Sequence, residues 1–163
     1  MKKSKVYHNL SCDCEDNCAR DVIHAMLENC IVVINNGQRI MPTITLLDEI
    51  EGKTLHQSSE FCHCENCDKV FSKSFKALAK SSSANASIIT DLHYGNSDIP
   101  PTIFFTLERE GTIEIHSFFL QNENGVISVY DHESVCYSIN EFPSHSKIYR
   151  ILPQNQKDLM ILC

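Results

Sequence analysis

Nine cysteines and eight histidines supply most of the chemistry this sequence could do, and three residues stand in an order suited to a nucleophile and its base. Cys18 opens an apolar-periodic segment with Ala19, Val22, Ile23, Met26 and Cys30 on one face, so it is predicted in the first turn of a helix. The partial positive charge there stabilises a thiolate, and backbone N–H groups can hold an oxyanion. Asp16 and Asn17 are good N-cap types. The acidity of Asp13, Glu15 and Asp16 opposes this, raising the thiol pKa unless a protonated histidine lies close. Cys30, on the apolar helix face, reads as core.

His116 is the candidate base and Asp131 the carboxylate that orients it, because a general base needs one ring nitrogen free and the other fixed. Asn122-Glu123-Asn124-Gly125 is a hairpin turn between two runs of β-branched and aromatic residues. A loop centred between Glu123 and Asn124 puts His116 directly opposite Asp131. A tight Asn124-Gly125 turn puts it opposite Glu133, with Asp131 a diagonal neighbour about 7 to 8 Å away. The competing expectation is an ordinary strand histidine beside Ile115 and Phe118.

A second constellation is Cys62-x-Cys64-x-x-Cys67, three thiols a loop can turn inward around zinc without strain. The fourth ligand would come from Cys12, Cys14, His56 or His63, and the role would be structural, since a thiolate-rich site leaves no open position for water. Reduced, unligated thiols are the alternative. Catalysis by a cysteine and a histidine requires no cofactor.

The elements that must position these residues form two groups. The helix opened by Cys18 meets a stop at Asn35-Asn36-Gly37, although Ile31 to Ile34 could break away as a short strand. Met41-Pro42-Thr43 begins what is predicted as a short second helix through Ile50, ended by Gly52. A further helix carries Val70, Phe71, Phe75, Leu78 and Ala79, and the small polar stretch Ser81 to Ser87 reads as a loop. From Ile99 onward the runs Thr102 to Leu107, Thr112 to Gln121 and Val126 to Asp131 read as strands, with shorter ones at Lys147 to Leu152 and Asp158 to Cys163. The expectation is one α+β domain over residues 1–163, with a helical part at about 10–80 packed on a C-terminal antiparallel sheet at about 99–163.

Length and charge narrow the classes. The 163 residues are 42% apolar, enough for one core. The net charge of −7 argues against a nucleic-acid partner. No stretch reads as a signal peptide or reaches the length of a membrane span. The odd cysteine count then reads as thiols of the cytoplasm or another reducing intracellular compartment.

A cysteine opening an N-terminal helix, followed far downstream by histidine and aspartate on a hairpin, resembles the papain-like cysteine proteases. Within that class several stretches look like the ubiquitin-specific proteases, the deubiquitinases. Asn17-Cys18 is similar to their cysteine box, and Cys64-Glu65-Asn66-Cys67 with Phe75 and Leu78 to their zinc-finger arm. Ile99-Pro100-Pro101-Thr102-Ile103-Phe104-Phe105 resembles the strand after that arm. Ile115-His116-Ser117-Phe118 through Val129-Tyr130-Asp131 and Val135 is similar to their histidine box, and Asp158-Leu159-Met160-Ile161-Leu162 to their closing strand. It departs at Ile115, where those enzymes have glycine, and in carrying a single CxxC.

The resemblance implies a papain-like fold and hydrolysis of a peptide or isopeptide bond by Cys18, His116 and Asp131, with Asn17 beside the oxyanion. It also implies a protein substrate, ubiquitin or a related modifier. Bacterial effector proteases and transglutaminase-like acyl transferases share the order and remain competitors. A non-catalytic alternative is a protein-interaction module in which both cysteine clusters, Cys18 included, hold zinc.

Overall fold

A computed structural model describes residues 19–58, 65–138 and 151–152. In chain order the elements are α1 (Ala19–Asn35), β1 (Thr43–Asp48), β2 (Lys53–Ser58), α2 (Glu65–Ser81), β3 (Ala86–His93), β4 (Thr102–Arg109), β5 (Thr112–Glu123) and β6 (Val126–Ser138). The fold is α+β. The six strands form one sheet in the order β2-β1-β3-β4-β5-β6, every neighbouring pair antiparallel. Among the described residues no helix is long and apolar enough to cross a membrane.

The helix α1 buries Ala19, Ile23, Leu27 and Cys30, spaced four, four and three apart, one stripe of a 3.6-residue period. These side chains pack on Leu47, Ala86, Ile88, Ile103, Phe105, Leu107, Phe118 and Leu120, which share one sheet face. Each fully buried Ile or Leu contributes roughly 1.5–3 kcal/mol, so the stripe is what holds α1 down. The Ile31 to Ile34 run stays helical, and the helix ends where Gly37 adopts φ 74°. Gly37 N–H then bonds Ile34 C=O at 2.9 Å and Gln38 N–H bonds Val33 C=O at 3.1 Å, the paired bonds of a Schellman cap.

The opposite face carries a second cluster, in which Phe75 and Ala79 of α2 meet Ile44 and Leu46 of β1 together with Ile151 and Leu152. The buried Glu108 carboxylate fixes that last pair by accepting from Ile151 N–H at 2.9 Å and Leu152 N–H at 2.6 Å.

Two expectations change. The segment from Met41 to Ile50 is not a helix: Thr43–Asp48 is a strand, and it turns through Asp48, whose Oδ1 accepts from Ile50 and Glu51 N–H, into β2. Five of its six residues are buried, because the strand lies between two helix-bearing faces, and a strand buried on both sides shows no alternation to distinguish it from a helix. Ser81 to Ser87 is likewise only partly a loop, since α2 reaches Ser81 and β3 starts at Ala86. The sheet therefore draws β1 and β2 from the region expected to be helical, and β3 from the stretch between the two expected parts.

Candidate active site

Period-2 alternation along β5 decides which side chains meet α1. Glu114, His116, Phe118 and Leu120 are buried on the α1 side of the sheet. His116 is 3% exposed and Glu114 9%. His116 Nε2 and Glu114 Oε2 lie 3.0 Å apart, so the carboxylate that orients this imidazole stands two residues before it on its own strand.

Glu114 belongs to a chain of charges reaching the start of α1. Its Oε1 accepts from Arg20 Nη2 at 3.2 Å and Arg109 Nη1 at 3.0 Å. Arg109 also grips Glu49 with two bonds, Nε to Oε2 at 2.8 Å and Nη2 to Oε1 at 2.9 Å. Glu49 Oε1 in turn accepts from Ala19 N–H at 3.0 Å, a carboxylate placed where the helix dipole favours one. The hydrogen bond from His116 and, after it, the guanidinium of Arg20 outweigh the cost of burial and hold the Glu114 carboxyl down at about 2. Glu114 is therefore ionised at neutral pH.

The other ring nitrogen, His116 Nδ1, is 3.4 Å from His132 Nε2. The two imidazoles stack with centroids 5.6 Å apart, and His132 lies flat on Phe118 at 4.3 Å. Burial, and then the neighbouring His116 charge, push His132 down to about 4. A neutral His132 can donate to Nδ1 or accept from it, so it serves either protonation state of His116.

A cleft of about 350 Å³ opens here, lined by Arg20, Glu114, His116, His132, Ser134 and Cys136 among others. Cys136 is an exposed free thiol on β6, directly opposite Glu114 and diagonal to His116. A buried imidazole braced by a carboxylate beside an open cleft is suited to moving a proton to and from a group bound there.

Asp131 is not brought to His116. The turn is the tight Asn124-Gly125 form, with φ 53° and 84° at its centre, and pairing runs in step from Glu123↔Val126 to Leu120↔Val129. The next pair is Phe119↔Asp131, so Tyr130 is an extra residue on β6, a β-bulge. Beyond it His116 faces Ser134, with Asp131 opposite Phe119 and Glu133 opposite Ser117, both on the other face of the sheet. A one-residue slip exchanges faces, and it removes both expected carboxylates. Asp131 is exposed, and its Oδ1 accepts from His132 N–H at 2.9 Å.

Asn17, Cys18, Cys62 and Cys64 lie outside the described residues, while Cys67 lies within α2 with its side chain outside them. Among the described residues no group of three or more His, Cys, Asp or Glu side chains is arranged to hold a metal. His116 and Arg20 meet on the Glu114 carboxylate, which ties the sheet histidine to the first turn of α1. Glu114 was legible in principle, since a residue two before His116 on a strand must share its face. His132, Cys136, Arg109 and Glu49 join the site only through the bulged register and long-range packing. The chain matches no family model, no curated protein and no solved structure.

Proposed function

We propose that the chain is a thiol-dependent hydrolase of papain-like arrangement, acting on a peptide or isopeptide bond, with His116 as base and Glu114, not Asp131, as the carboxylate that orients it. The observation that carries this reading is the buried His116–Glu114 pair at 3.0 Å, tied at 3.2 Å to Arg20 in the first turn of the helix that Cys18 directly precedes. Cys18 is the nucleophile in this reading. His116 Nδ1 gives up its 3.4 Å contact with His132 Nε2 to take the thiol proton, sulfur attacks the carbonyl carbon, and the same proton passes to the leaving amine. Water then releases the acyl group, and His116 Nε2–H stays on Glu114 throughout. Ala19 N–H is already bonded to Glu49, so oxyanion donors must come from elsewhere, with Asn17 the candidate. A protein substrate, ubiquitin or a related modifier, follows from the resemblance, as does a structural zinc on Cys62, Cys64 and Cys67.

Cys136 favours a variant of the same chemistry, since its thiol lines the cleft that holds His116. A panel of ubiquitin and ubiquitin-like probes ending in an electrophile separates the two. Capture that survives Cys136→Ala and disappears with Cys18→Ala supports the proposal, and the reverse moves the nucleophile to β6. If neither thiol is captured by any probe while the protein remains folded, the charge network only locks α1 to the sheet and the hydrolase reading fails.

A further inference from the structure

On the other side of α1 from the His116 cleft lies a cavity of about 230 Å³ between the helix and the β1–β3 part of the sheet. Its walls are largely apolar, formed by Met26, Cys30, Val33 and Ile40 with Asn29 and Gln57 beside them, and its floor includes Thr43 and Thr90. These two threonines are directly paired across β1 and β3, which puts their side chains on one face about 4.5–5.5 Å apart at Cβ. Thr90 is 1% exposed, and neither Thr43 Oγ1 nor Thr90 Oγ1 has a hydrogen-bond partner among the described residues. Buried hydroxyls without partners are uncommon and costly. Two of them side by side on the floor of an apolar cavity form a fork that one oxygen-bearing group can satisfy at once.

Arg39 also lines this cavity, on the exposed segment between α1 and β1. Its guanidinium sits over the Tyr94 ring at 5.7 Å, with Nε donating to Tyr94 Oη at 3.3 Å. Tyr94 lines the adjacent cleft, and the Arg39 side chain borders both that cleft and this cavity. A cavity of about 150 Å³ holds a benzene, so this one has room for roughly eight non-hydrogen atoms.

We propose that this cavity binds a small aliphatic carboxylate, its carboxyl group accepting from Thr43 and Thr90 hydroxyls in the field of Arg39 and its chain lying against Met26, Cys30, Val33 and Ile40. The site is independent of the cysteine and histidine chemistry. Hexanoate is a probe of suitable size, and hexanol and hexylamine are its uncharged and cationic counterparts.

Titration of the full chain with each probe, followed by amide chemical shifts, tests the proposal. Hexanoate is expected to saturate with a Kd at or below about 1 mM, centred on Thr43 and Thr90, while hexanol binds more weakly and hexylamine not at all. Thr90→Val should weaken hexanoate at least about tenfold, because a hydrogen bond to a charged group is lost, and Thr90→Ser should stay within a few-fold of wild type. Arg39→Gln should reduce hexanoate to the level of hexanol. Without ligand, Thr90→Val should melt no lower than wild type, since it removes an unpaired buried hydroxyl. Failure of hexanoate to saturate overturns the proposal. So do equal binding by Thr90→Val, equal binding of hexanol by the wild type, and a lowered melting temperature for the unliganded Thr90→Val protein, which would mean the hydroxyl is already satisfied.

Discussion

Replacing Glu114 with glutamine keeps the shape of the side chain and removes the charge on which Arg20, Arg109 and His116 converge. Folding lowers the Glu114 pKa from the ordinary 4.5 to about 2. At 1.36 kcal/mol per unit this corresponds to about 3 kcal/mol of stability for the ionised carboxylate, and screening at the cleft mouth brings it nearer about 2 kcal/mol. For a carboxylate lowered in the fold, the stability is present above the unfolded pKa and is lost as pH falls through the folded one. Glu114→Gln should therefore cost about 2 kcal/mol at pH 7, and the gap to wild type should shrink to less than about half by pH 3. Urea unfolding followed by far-ultraviolet circular dichroism, at pH 7, 4.5 and 3, measures both quantities. A loss below about 0.5 kcal/mol at pH 7, or a gap that does not narrow on acidification, would refute the idea that this carboxylate is held ionised by His116 and the two arginines.

Three further outcomes follow from the same packing. His132, lowered to about 4, should titrate by NMR well below an ordinary histidine. The unfolded chain binds its proton first, so about 1 kcal/mol of stability should drain away as pH falls from 6.5 toward 4, and His132→Phe should remove that dependence. Cys30 is buried, which raises its thiol to about 11, whereas Cys136 is exposed. Alkylation mapped by mass spectrometry at pH 8 should label Cys136 in the native protein and reach Cys30 only after denaturation. Gly95 has φ 81°, and a Cβ there would stand 2.7 Å from Pro101 N and 2.9 Å from Ile99 O. Gly95→Ala should therefore lower stability by more than about 1 kcal/mol in the same urea assay.

The hairpin was legible because Asn124-Gly125 is a strong local signal that needs nothing from the rest of the chain. Its consequence for His116 was not. Both expected registers assumed regular pairing, and the extra residue Tyr130 turns Asp131 and Glu133 away without any composition signal at that point. The strand β1 stands where a helix is expected, because Thr43 to Asp48 is buried on both faces and its apolar residues also fit a helical period. The stop of α1 at Gly37 follows from local spacing and cap chemistry. Glu49 and Arg109 are 60 residues apart, and their meeting depends on the strand order β1-β3-β4, which periodicity does not encode.

The most direct test of the hydrolase reading needs no substrate. The rate of alkylation of each thiol by iodoacetamide is measured between pH 5 and 9 in the native wild type, in His116→Ala and in Glu114→Gln. An assisted nucleophile gives a rate that stays high below the ordinary thiol pKa of about 8.5. Cys18 is expected to react at pH 6 at least about tenfold faster than Cys136, with His116→Ala removing the advantage and Glu114→Gln reducing it. A Cys18 rate that follows an ordinary thiol titration and is unchanged by His116→Ala would contradict the hydrolase reading.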